Sequence, residues 1–106
     1  MQWLKIFSGM DAAREKLIEN KPQLIIVGGK RISLVRQGTA IYAVSDTCTH
    51  NGESLSKGKV NHACEIVCPW HGHIFSLKTG REYQQRSNDL ECFPLKEEAD
   101  GLYIGV

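Results

Sequence analysis

The sequence predicts an all-β fold with one short helix near the amino terminus. Apolar residues alternate along several short runs, as they do in strands with one face buried. Glycine-containing turn signals separate those runs. Apolar residues recur at helical spacing in a single stretch, residues 10–20.

Residues 2–7 alternate and read as a first strand, after which Ser8 and Asp11 offer helix starts. Within 10–20, Met10, Ala13, Leu17 and Ile18 form an apolar face opposite Arg14, Glu15 and Lys16, and Pro22 stops the helix. Runs at 23–27 and 31–36 flank Gly28-Gly29-Lys30, a hairpin turn signal, and a third run, 39–44, follows Gln37-Gly38. Together they predict an antiparallel meander. Gly28-Gly29 is not a phosphate cradle, because neither a GxGxxG nor a GxxxxGK pattern accompanies it and no helix follows. Residues 45–80 change texture to short polar loops rich in Gly, His and Cys. After a polar stretch at 81–89, runs at 91–97 and 102–106 flank Ala99-Asp100-Gly101 and predict a last hairpin.

A length of 106 residues fits one domain and leaves no room for a separate catalytic one. The hydrophobic fraction of 42% and charged fraction of 24% are those of an ordinary globular chain. With 13 basic and 12 acidic residues the net charge is +1, which supplies no field to draw nucleic acid or an anionic membrane. No apolar run reaches the roughly 18 to 20 residues that cross a bilayer, and the amino terminus lacks a continuous apolar core. The expectation is a soluble, cytoplasmic protein, whose 4 cysteines serve as metal ligands or buried thiols and not as a disulfide framework.

Two loops carry the chemistry: Cys48-Thr49-His50 and, after 17 residues, Cys68-Pro69-Trp70-His71. Each offers one thiolate and one imidazole, spaced too closely for a regular helix or strand, so each belongs on a tight turn. Gly52, Gly58, Pro69 and Gly72 are suitable turn residues, and Gly72 would let the backbone come close to a bound group. Two readings of Cys48, His50, Cys68 and His71 stand at this point. They can bind zinc tetrahedrally, although structural zinc sites more often pair cysteines in one knuckle and histidines in another. They can instead hold a [2Fe–2S] cluster with two cysteines on one iron and two histidines on the other.

Through CTHNGESLSKGKV and CPWHGHIFSLKTG the sequence resembles the Rieske ferredoxin family. The segments IYAVSDTCTH and CFPLKEEADGLYIGV are similar to it more weakly. The resemblance implies a single Rieske domain over 1–106. Its antiparallel β base domain would comprise 1–44 and 81–106, with a cluster-binding subdomain of about 45–80 inserted into it. It also implies one [2Fe–2S] cluster per chain, ligated by Cys48, His50, Cys68 and His71, with the histidines near solvent.

The function implied is one-electron carriage from a reductase, flavin-dependent in such systems, to a terminal oxygenase or similar acceptor. The chain itself is not expected to be catalytic. Two other classes stand beside this one: the small Rieske-like subunit of a nitrite reductase, and a zinc-binding or redox-sensing interaction module. In the quinol-oxidising branch of the family each loop carries an extra cysteine, and the two form a disulfide. Glu53 and Trp70 occupy the matching positions here, and His73 replaces a serine that donates to a cluster sulfide. These departures predict a potential near the low end of the Rieske range, about −150 mV.

Four further readings concern the remaining side chains. Cys64 and Cys92 are expected to be buried structural thiols, since their spacing does not fit a four-cysteine ferredoxin. His62 is expected on the surface. His73 is expected to pack beside the ligands, and Trp70 to cover the site as an apolar lid.

Overall fold

The computed structural model describes residues 1–50, 52–70 and 72–106. Among the described residues, nine strands form three antiparallel three-stranded sheets, joined by one α-helix and one 3-10 turn. The first sheet is built from the chain ends: β1 (Trp3–Phe7), β8 (Leu95–Glu98) and β9 (Gly101–Gly105), in the order β1-β9-β8. The second is the expected meander of β2 (Gln23–Val27), β3 (Lys30–Gln37) and β4 (Ala40–Ser45). The third and shortest comprises β5 (Lys59–Asn61), β6 (Glu65–Val67) and β7 (Ile74–Ser76), and it carries the second loop.

The turn between β2 and β3 shows why the register is fixed. Val27 pairs with Lys30, and Gly28 and Gly29 between them have φ of 58° and 76°. A two-residue hairpin of this hand requires positive φ at both central positions, which two glycines adopt without steric cost.

Strand β3 is the keystone of the fold. Ile32, Ser33, Leu34 and Val35 are all fully buried, as in a strand covered on both faces. Its period of two sorts them: Ile32 and Leu34 join Leu17, Ala43, Phe93 and Ile104 in the core of the base. Val35 points the other way and joins Val44, Leu55, Ile66, Phe75, Leu77 and Leu90, together with Cys48 and Cys68. The candidate thiols thus belong to a hydrophobic core, and emptying its largest member by Phe75→Ala would cost about 4 kcal/mol.

The helix α1 spans Met10–Lys16, four residues less than the periodicity suggests. Neither Ser8 nor Asp11 caps it; Gly9 is the N-cap residue, without a side-chain cap. Pro22 does not end it either. Leu17 is already extended and buried in the core, and the Arg36 guanidinium donates at 3.0 Å to the carbonyls of both Arg14 and Leu17. That cation satisfies helix-end carbonyls left without intrahelical partners. Once the helix stops there, Ile18 falls off the apolar face and is exposed.

Candidate metal centre

The two ligand loops have the same frame, which spacing alone did not reveal. The Cys48 amide donates to the Glu53 carbonyl at 2.9 Å, and the Cys68 amide donates to the His73 carbonyl at 2.8 Å. Each cysteine therefore closes a loop onto the residue five positions later. Each loop also has a left-handed glycine four positions after its cysteine, Gly52 with φ 76° and Gly72 with φ 66°. At both positions glycine adopts the left-handed turn without steric cost.

The flanking strands and bridges explain why the loops form where they do. Strands β6 and β7 pair through Val67 and Ile74, which leaves residues 68–73 to bridge them. Residues 48–53 are closed at their base by a bridge between Thr47 and Ser54. Gly58 lets the two halves approach, because a Cβ there would lie 2.0 Å from the Val67 carbonyl oxygen and 3.2 Å from Pro69 Cδ.

Three of the four predicted ligands are among the described residues; His71, like Asn51, lies outside them. Cys48 and Cys68 are each 1% exposed, whereas His50 is exposed. The two thiols share a hydrogen bond, and the Trp70 amide donates to the sulfur of Cys68. Burial pushes the Cys68 thiol up to about 11, and the bond to Cys48, its charge and that of Glu53 push the same way against the Trp70 amide. A thiol in such surroundings resists ionisation by itself, while a bound cation deprotonates it outright. Paired buried sulfurs with an amide aimed at one of them, and an imidazole at the surface beside them, fit the ligand chemistry of a [2Fe–2S] group with mixed ligation.

Two buried carboxylates brace this site, and neither was singled out from sequence. Asp46 accepts from Ser33 Oγ at 2.7 Å, Ser54 Oγ at 2.5 Å and the Ser56 amide at 2.8 Å, and its backbone carbonyl accepts from the Leu55 amide. Burial alone would raise its pKa, but the donors from Ser54, Ser33 and Ser56 outweigh it and hold the carboxyl below its ordinary value. Glu82 accepts from the amides of Gln84 and Arg86 at 2.6 and 2.9 Å, and from Arg86 Nε at 3.1 Å. Its pKa is likewise lowered, because these donors overcome the effect of burial. The segment that Glu82 organises touches both loops: Thr49 Oγ1 donates to the Asn88 carbonyl at 2.5 Å, and Ser87 Oγ lies 3.3 Å from His73 Nδ1. A sequence signal existed for Asp46 alone, a carboxylate within a polar strand-end sequence just ahead of Cys48.

A model of the Rieske [2Fe–2S] domain matches residues 8–94. The chain belongs to the Rieske [2Fe–2S] domain family. Among relatives of this Rieske chain is the 3-phenylpropionate/cinnamic acid dioxygenase ferredoxin subunit of Escherichia coli strain K12. It is 32% identical over 76 residues, which cover 71% of this chain and 72% of that protein. In structure the chain is similar to the ferredoxin of carbazole 1,9a-dioxygenase from Nocardioides aromaticivorans IC177. The TM-score is 0.81 and the identity 22%, with 98% of this chain and 97% of the other covered. A second similar structure is a complex of reduced oxygenase and oxidized ferredoxin in carbazole 1,9a-dioxygenase. That match has a TM-score of 0.79 and 27% identity, over 96% of this chain and 100% of the other.

Trp70, expected to cover the site, is 58% exposed. The Rieske fold corrects two expectations about other side chains. Cys92 is exposed and lines a surface cavity with Ile41, Tyr42 and Phe93, so it is not a core thiol. Cys64 is half-buried with φ 62°, in the turn between β5 and β6, and packs with Tyr42 against the core that holds Cys48 and Cys68. His62 is exposed and His73 buried, as anticipated. Among the described residues no helix is long and apolar enough to cross a membrane.

Proposed function

We propose that this Rieske protein is a one-electron carrier that links a flavin-dependent reductase to a terminal oxygenase of an aromatic-ring dioxygenase system. It would hold one [2Fe–2S] cluster per chain through Cys48, His50, Cys68 and His71. When bound, the cluster supplies a site that takes up and releases a single electron. The observation that carries this reading is the burial of Cys48 and Cys68 side by side while His50 stands at the surface.

The protein's own groups divide the work. Cys48 and Cys68 provide anionic sulfur in a dry core, and the Trp70 amide stabilises charge on one of them. His50 provides an exposed imidazole on the side where a partner can dock, and electron transfer favours the shortest path between redox groups. The cluster-binding subdomain would be residues 45–80 within one domain spanning 1–106, and the carrier would work in the cytoplasm. The relatives named as ferredoxin subunits of dioxygenase systems support a chain that delivers electrons and leaves substrate oxidation to its acceptor.

Reconstituted turnover tests the assignment. Chemically reduced protein should pass electrons to an oxygenase component, with product formation proportional to the carrier added. Stable copurification with a large enzyme, and turnover indifferent to whether the cluster can be reduced, would instead make the chain a structural subunit.

A further inference from the structure

His73 is not among the assigned ligands, yet it touches both ligand loops. It is 4% exposed, and its ring lies parallel to that of the exposed His50, with centroids 3.9 Å apart and planes inclined by 10°. Its backbone carbonyl accepts the amide of Cys68, closing the second loop. One residue therefore ties the backbone of one loop to a ligand side chain of the other.

His73 is itself held from behind. Its Nδ1 lies 3.3 Å from Ser87 Oγ and 3.7 Å from Glu82 Oε1. Glu82 is fully buried and fixed by two backbone amides and the Arg86 side chain. A series of contacts thus runs from an immobile carboxylate, through a buried imidazole, to the exposed imidazole of His50. A loop backbone fixes where the Cα of His50 sits but leaves its ring free to turn about two torsions. A flat ring stacked on one face restricts that freedom, and the partners of a ligating histidine set its orientation.

We propose that His73 is a positioning residue that fixes the plane of the His50 imidazole at the edge of the cluster. This rests on the assignment of His50 as a ligand. A merely space-filling residue would need neither parallel rings nor polar contacts at its far side, and leucine would serve as well.

The experiment compares cluster-loaded parent protein with His73→Phe, which keeps a flat ring, and His73→Leu, which keeps bulk without one. Iron and acid-labile sulfide are measured first. A parent protein that lacks them overturns the ligand assignment and not the role of His73 alone. With loaded protein, the readouts are the electron paramagnetic resonance of the reduced form and the midpoint potential. His73→Phe, which keeps the stacked ring but loses the contacts to Ser87 and Glu82, should depart from the parental line shape less than His73→Leu, which should show shifted, broadened lines and a displaced potential. Parental lines and potential in His73→Leu would overturn the proposal, as would a His73→Phe spectrum that departs as far as that of His73→Leu. If His73→Leu does not load, Ser87→Ala decides, since it leaves every ring in place but loosens His73. Broadened lines are expected there, and lines identical to the parent's would overturn the proposal.

Discussion

The Ser33 hydroxyl, on a strand of the base, donates a 2.7 Å hydrogen bond to the Asp46 carboxylate two residues ahead of Cys48. The same carboxylate accepts from Ser54 and Ser56 on the far side of the first loop, and both its residue and Ser33 are fully buried. Asp46 is thus the rivet between base and loop. Replacing it with Ala would leave the buried Ser33 and the half-buried Ser54 and Ser56 donors without their acceptor, and such a loss costs about 3 kcal/mol. Urea unfolding of Asp46→Ala should show that loss, and the loaded variant should release iron faster to a chelator. Stability within about 0.5 kcal/mol of the parent would show the network to be dispensable.

The lowered pKa values of Asp46 and Glu82 set an acid limit. A carboxyl whose folded-state pKa is depressed contributes stability above its unfolded value and loses it as pH falls through the folded value. With ordinary values of 3.8 for Asp46 and 4.5 for Glu82, this contribution is complete near neutrality and declines from about pH 4.5 downward. The urea midpoint should therefore fall between pH 5 and pH 3, and less steeply in Asp46→Asn and Glu82→Gln. A midpoint that stays flat across this window would rule the two carboxylates out as its source.

Glycine substitutions separate space from backbone conformation. In Gly58→Ala the new Cβ meets the Val67 carbonyl at 2.0 Å, and backbone cannot yield as a side chain does. A loss of about 3 kcal/mol is expected, with poorer cluster loading because the loops are forced apart. In Gly29→Ala there is nothing within 4 Å but φ is 76°, so the cost is the left-handed penalty of about 1 kcal/mol. Thermal melting of both variants should reproduce that order.

The reduction potential follows from the charges near the sulfurs. Glu53 acts unfavourably on ionisation of Cys68, and negative charge in that place favours the oxidised cluster. A potential near the low end of the Rieske range, about −150 mV, is expected, rising in Glu53→Gln. A parent potential above about +100 mV would contradict this reading of the charges.

The sequence made some layers of this structure legible and not others, for physical reasons. Period-two alternation and the Gly28-Gly29 turn were enough to place the meander, because local backbone preferences and burial there agree. Helix α1 ends early because a distant cation, Arg36, captures its last carbonyls, and nothing within 10–20 encodes that. The exposure of Trp70 and Cys92 was hidden for the same reason: apolar character does not say which side of a loop faces water. At the metal centre, residue types and spacing marked out the ligand candidates. The shared loop frame, the Asp46 and Glu82 braces and the stacking of His50 on His73 exist only once distant segments meet.

Ligand substitution tests each assigned position separately. Cys48→Ser, Cys68→Ser, His50→Ala and His71→Ala should each abolish the Rieske absorption and resonance signals while the base still folds, as judged by circular dichroism. A variant that keeps the parental spectrum would remove its residue from the ligand set.

The central claim is tested most directly by iron and acid-labile sulfide analysis of the purified protein, read together with the electron paramagnetic resonance of its reduced form. About two irons and two sulfides per chain with a Rieske-type signal are predicted, as mixed thiolate and imidazole ligation requires. A colourless protein containing stoichiometric zinc, or iron without labile sulfide, would contradict it.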